Sequence, residues 1–298
     1  MRYLLPFLFA AMAAAQGQDP PFRLPEGVEK ISDLVYAAYG GRQMHLDLYI
    51  PKTGPKTGNG PFPVVIYIHG GAWKNGNKNA FARQAAHMAT KGVVGACIEY
   101  RLSGEAKWPA AIYDSKAAVR WVRANASKYN LDPERIGAAG GSAGGHLVAL
   151  LGTTHHRAEM EGPGGNPGKS SRVIAVAAFN PAVDLVSLGK KPGTNANTSV
   201  AKFLGKTYAQ DMSLWELATP ITHVSKRSAS FLFLHGASDA TVPYRQSLDM
   251  QAKLKEAGVR AELFTAEGAG HGFFNRPPWF APTQQRMEEF FLRVFSRP

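Results

Sequence analysis

Ser142 stands in Gly140-Gly141-Ser142-Ala143-Gly144, a serine with a glycine two positions away on either side. A serine hydroxyl is a poor nucleophile at neutral pH and becomes a useful one beside a base that an acid orients. The chemistry such a serine serves is acyl transfer, in which a carbonyl carbon is attacked and N–H donors hold the oxyanion that forms. Small residues on both sides suit a tight strand-to-helix turn with a strained backbone at the serine. Such a turn puts the Ala143 N–H at a helix N-terminus, where unpaired donors and the positive dipole end favour negative charge.

The partners that this serine needs are expected on loops after later strands. His271 follows an apolar run at 262–265 and sits in Gly268-Ala269-Gly270-His271-Gly272-Phe273. Asp239 follows the run 231–234 through His235-Gly236-Ala237-Ser238. Glu267 is a rival acid, too near His271 in sequence to reach around it. Further oxyanion donors are available from Gly71 and Ala72 in His69-Gly70-Gly71-Ala72-Trp73, which follows another apolar run directly. His69 is expected to shape that loop, His146 to lie in the helix after the serine, and His235 on the strand of the acid. Neither metal nor cofactor is expected: H-E-x-x-H is lacking, and His155-His156 has no carboxylate or histidine company at ligand spacing.

The elements that must position these residues read as alternating strands and helices. Residues 34–38 and 44–49 predict an antiparallel hairpin at a sheet edge, with His45, Asp47 and Tyr49 on one face of its second strand. Runs at 64–68, 93–99, 135–139, 173–179, 231–234 and 262–265 predict strands, several of them unbroken and apolar as in a parallel sheet buried on both faces. Residues 80–90, 109–126, 244–256 and 282–295 predict helices. Residues 183–228 break the rhythm and are expected to form a lid-like insertion on the catalytic face. Trp73, Phe273, Phe274 and Trp215 are candidate walls of a substrate pocket. Cys97, the single cysteine, is expected to be a small buried apolar residue.

At 298 residues the chain is long enough for a sizeable core. Residues 1–15 carry Arg2, an apolar run and Ala13-Ala14-Ala15, the pattern of a cleaved export signal, which predicts a secreted or periplasmic protein. Residues 16–32 read as a lead segment and 33–298 as the catalytic domain. That apolar run is too short to span a bilayer, and no later segment approaches the length of a membrane-spanning helix. The formal net charge of +12 is that of a solvated basic surface or of a protein drawn to acidic polymers. Basic runs interleaved with aromatics are lacking, which argues against nucleic acid as a partner.

Taken together, His69 to Trp73, Tyr100-Arg101-Leu102, Gly140 to His146, His235 to Pro243 and Gly268 to Phe273 resemble, in order and over most of 33–295, the α/β-hydrolase esterases of the hormone-sensitive-lipase-like group. The chain is most similar to their bacterial feruloyl and acetyl (xylan) esterases. The resemblance implies an α/β-hydrolase fold: a mostly parallel central sheet with helices on both faces and a small lid-like insertion. It implies Ser142 as nucleophile, His271 as base, Asp239 as its orienter, and Gly71, Ala72 and Ala143 as oxyanion donors. Ala72 stands where many relatives carry a third glycine, so its methyl is expected to narrow the acyl pocket. The short N-terminal region leaves no room for a large helical cap. The expected reaction is hydrolysis of short-acyl or aromatic esters, as small molecules or attached to polysaccharides. A serine peptidase or aryl-formamidase on the same fold, and a ligand-binding protein without catalysis, are the alternatives.

Overall fold

The structure is a computed structural model that describes residues 22–53 and 57–296. The export signal expected at 1–15 lies outside the described residues. Two strands open the fold, β1 (Val28–Tyr39) and β2 (Arg42–Pro51), paired antiparallel around Gly40-Gly41. The first begins at Val28, inside the segment that the sequence reads as a lead. Two register shifts and a positive φ at Asp33 break its alternation, and as an edge strand it keeps polar residues such as Glu29 and Lys30.

The remaining strands are β3 (Phe62–Ile68), β4 (Val94–Ile98), β5 (Leu131–Gly141), β6 (Ala175–Phe179), β7 (Ser230–Gly236) and β8 (Ala261–Ala266). Among the described residues they form one eight-stranded sheet in the order β1-β2-β4-β3-β5-β6-β7-β8. The first two pairings are antiparallel and the other five parallel. β3, β4 and β6 are buried at every position, because apolar layers cover both faces. One layer contains α2 (Ala110–Ala124) and α3 (Ala143–Thr153); the other contains α1 (Ala82–Ala89) and the closing helix α8 (Phe280–Phe295). Between β6 and β7 lie three short helices, α4 (Leu185–Gly189), α5 (Ser199–Leu204) and α6 (Met212–Leu217); α7 (Arg245–Glu256) links β7 to β8.

β3, β5, β6, β7 and β8 run in one direction, so their C-terminal ends share one edge of the sheet. Ser142, Asp239 and His271 all follow such ends. Among the described residues no helix is long and apolar enough to cross a membrane.

Candidate active site

β5 and α3 meet at Ser142 with no intervening loop. The serine has φ 55° and ψ −116°, a sparsely populated conformation that throws its side chain clear of both elements. The surrounding structure holds it there: the Ser142 N–H donates to the Phe179 carbonyl at 2.9 Å, and the Ser142 carbonyl accepts from the His146 N–H at 2.9 Å. Glycine is required at two places by close approach. A Cβ on Gly144 would lie 2.0 Å from the Ile68 carbonyl oxygen, and one on Gly140 would lie 2.6 Å from that of Gly144.

The structure brings Ser142, His271 and Asp239 together. Ser142 Oγ lies 2.9 Å from Nε2 of His271, and Nδ1 of the same ring lies 2.7 Å from Oδ2 of Asp239. The other carboxylate oxygen, Oδ1, accepts the N–H groups of Thr241 and Val242 at 2.8 and 2.9 Å. Burial pushes the Asp239 carboxyl up, but the hydrogen bonds from His235, His271 and the Val242 N–H outweigh it and leave it well below the usual carboxylate range. An ionised Asp239 keeps the proton of His271 on Nδ1 and leaves Nε2 free to accept one from Ser142. Glu267, the rival acid, is exposed and away from this relay.

Facing the serine is the turn after β3. Gly71 has φ 115° and Ala72 φ 54°, and the Gly71 carbonyl closes the turn by accepting the N–H groups of Lys74 and Asn75. Among the described residues the N–H groups of Gly71, Ala72 and Ala143 have no acceptor, as oxyanion donors require. His69 braces the turn, its Nδ1 donating to the Gly70 carbonyl at 2.7 Å and its ring stacked on Tyr100. Serine, base and turn open into a cavity of about 470 Å³. Ala80, Phe81 and Phe274 form an apolar wall; Lys74, Asn75, Asn180, Thr241 and Asn275 supply polar ends.

A nucleophile, a base, a buried acid and three free N–H donors around one cavity are the parts of an acyl-transfer site. The BD-FAE family model matches residues 46–254, well over half of the chain. The chain belongs to the BD-FAE family. The probable carboxylic ester hydrolase LipM of Mycobacterium tuberculosis is 34% identical over 234 residues, 78% of this chain and 53% of that protein. A truncated carbohydrate esterase from gut microbiota superposes with a TM-score of 0.78 at 31% identity, covering 90% of this chain and 97% of the other. The propionate-bound esterase Est2 of Thermogutta terrifontis gives 0.76 at 29% identity, over 92% and 98% of the two chains. The fold is that of the α/β-hydrolases. The chain spans about half the length of the curated relatives it matches.

In this BD-FAE member, three expected pocket walls are core residues. Trp73 is 4% exposed, stacked on Phe203 with ring centroids 4.7 Å apart, and its Nε1 donates to Nδ1 of His146 at 3.2 Å. Trp215 is fully buried and donates to the Lys206 carbonyl. Phe273 packs edge-on against Phe274 and Trp279, behind the cavity. Each is too large and apolar to be left wet when a core surface lies beside it. The insertion is corrected likewise. None of residues 183–228 lines the cavity; Phe203 and the Ala218 carbonyl press on Trp73 and His146 from behind, so the segment buttresses the oxyanion turn and does not cover the site.

The roles of three residues at the site escaped the sequence reading, although it placed His235 correctly on the strand of the acid. Phe81 reaches the cavity from a short 3-10 turn (Lys78–Phe81) tied to β2 by Lys78 Nζ, 2.7 Å from the buried Asp47 carboxylate. Asn180, buried at the end of β6 with φ 36°, places Nδ2 3.4 Å from His271 Nε2 and accepts the Gly272 N–H. His235 is buried under Asp239, with Nε2 3.3 Å from Oδ2 and 3.1 Å from the Val242 carbonyl. Its place in His235-Gly236-Ala237-Ser238-Asp239 was the available signal, since the turn that carries the acid back past the strand end carries it over this ring.

Proposed function

We propose that this protein is an exported serine carboxylesterase that hydrolyses short-acyl or aromatic esters attached to plant polysaccharides. The observation that carries the reading is the unbroken hydrogen-bonded path from Ser142 Oγ through His271 to Asp239 beside three unused N–H donors. Ser142 Oγ attacks the ester carbonyl as His271 Nε2 takes its proton. Gly71, Ala72 and Ala143 hold the oxyanion, each N–H worth on the order of 3 kcal/mol in the transition state. The intermediate collapses as His271 returns the proton to the departing alcohol. A water deprotonated by the same Nε2 then attacks the acyl-enzyme, and the acid leaves as His271 returns that proton to Ser142 Oγ. Asn180 Nδ2, beside Nε2, is placed to orient that water.

The carbohydrate esterase among the structural neighbours supports a glycan-linked ester, and the propionate held by Est2 supports a short acyl group. Export rests on the pattern Arg2, apolar run, Ala13-Ala14-Ala15. The test is kcat/KM for acetyl against feruloyl esters of the same sugar. A preference for acetyl above about tenfold, roughly 1.4 kcal/mol in the barrier, makes the protein a polysaccharide deacetylase. The reverse preference makes the Phe81 and Phe274 wall an aryl slot, and turnover of neither removes the polysaccharide assignment.

A further inference from the structure

The cavity wall divides into groups already in use and groups that are free. Asn180 is committed to His271 and Gly272. Phe81 and Phe274 are stacked 5.8 Å apart and form a flat apolar face. The Lys74 ammonium, the Asn75 and Asn275 amides and the Thr241 hydroxyl have no side-chain partner among the described residues, although all four line the cavity. Among the described residues no Asp or Glu lines it with them. The backbone of Lys74 is fixed at the site, because its N–H donates to the Gly71 carbonyl within the turn that presents the oxyanion donors.

A cavity with one flat apolar wall, free hydrogen-bonding ends and a single unpaired ammonium is complementary to a polyhydroxylated molecule that bears a carboxylate. Resting on the ester-hydrolase reading above, we infer that Lys74 selects ester substrates carrying a second, free carboxylate. The Asn75, Thr241 and Asn275 side chains meet hydroxyl groups of the same substrate. Lys74, Asn75, Thr241 and Asn275 are exposed at the cavity rim, so a neutral ester leaves the ammonium to water, and an anionic one pairs with it there. The basic surface, at a formal charge of +12, adds attraction at longer range that salt screens.

The carboxylate belongs either to the alcohol, as in an acetylated uronic acid, or to the acyl group, as in a dicarboxylic monoester. Two substrate pairs separate these. One is mono-O-acetylated methyl glucuronoside against the corresponding acetylated methyl glucoside; the other is 4-nitrophenyl succinate against 4-nitrophenyl butyrate. The readout is the anionic-to-neutral ratio of kcat/KM for the unmodified protein, Lys74→Ala and Lys74→Glu at low and high salt. The expected result is a ratio that falls about tenfold in Lys74→Ala, further in Lys74→Glu, and toward the Lys74→Ala value when the unmodified protein is assayed at high salt. A fall in the first pair places the carboxylate on the alcohol, and one in the second pair places it on the acyl group. Ratios within twofold of the unmodified protein in both pairs, with hydrolysis intact, overturn the selection by Lys74 and leave the esterase reading standing. No hydrolysis of any of the four esters overturns both.

Discussion

A buried carboxylate that accepts three hydrogen bonds is worth more than one that fills space, and Asp239 is such a group. Two of its bonds come from backbone N–H groups and one from His271, with His235 Nε2 a further 3.3 Å from Oδ2, and together they favour the ionised form. The charge fixes the tautomer of His271, so replacing it with an amide keeps the shape and loses the function. Asp239→Asn should lower kcat by about 10³- to 10⁴-fold with a much smaller change in KM. Glu267→Gln, at an exposed position away from the relay, should change kcat less than twofold. Steady-state kinetics on 4-nitrophenyl acetate reads both, and the opposite ranking would reassign the acid. Both candidate acids were visible in the sequence. What separated them was reach: Glu267 shares a short loop with His271 and turns outward, whereas Asp239 comes from the neighbouring strand end and meets the ring from below.

At the scale of elements, the oxyanion turn is held from behind by a chain that crosses three of them. Trp73 Nε1 donates to Nδ1 of His146 on α3, and Nε2 of His146 donates to the Ala218 carbonyl just past α6. Trp73→Phe keeps an aromatic ring on Phe203 but removes the donor, leaving a buried ring nitrogen unsatisfied. Urea unfolding should show a loss of about 1 to 3 kcal/mol, and kcat should fall more than KM rises, because the turn bearing the Gly71 and Ala72 N–H groups loosens. Unfolding and kcat matching the unmodified protein would show that the bond is not needed. The strands were legible because unbroken apolar runs admit few other readings. The insertion was not, because short helices that pack sideways on a tryptophan leave no periodic trace, and polar stretches such as 190–199 look like a lid. Large aromatics beside a serine motif read equally as pocket or core; neighbours distant in sequence, Phe203 for Trp73 and Lys206 for Trp215, decide between them.

For the molecule as a whole, the same buried chain links stability to pH. Burial lowers the His146 pKa from 6.5 to about 4, against a smaller upward pull from the Ala218 carbonyl. On acidification the unfolded chain takes up this proton first, so the contribution of neutral His146 is complete above about pH 6.5 and is lost as pH falls toward 4. The amount is on the order of 3 kcal/mol. Urea midpoints measured across that range should fall less steeply for His146→Gln than for the unmodified protein, and parallel slopes would mean that His146 is not held neutral by the core. The antiparallel edge hairpin, the mostly parallel sheet and the convergence of strand ends were legible in the sequence; the strand order was not, because it is set by pairings between distant segments, and the course of β1 was hidden by its bulges and polar edge. Everything in this fold converges on one atom, Ser142 Oγ. The most direct measurement is kcat/KM of purified Ser142→Ala on 4-nitrophenyl acetate beside the unmodified protein. A fall of at least about 10⁴-fold is predicted; a variant that retains a tenth or more of the activity would contradict an acyl-enzyme formed on this serine.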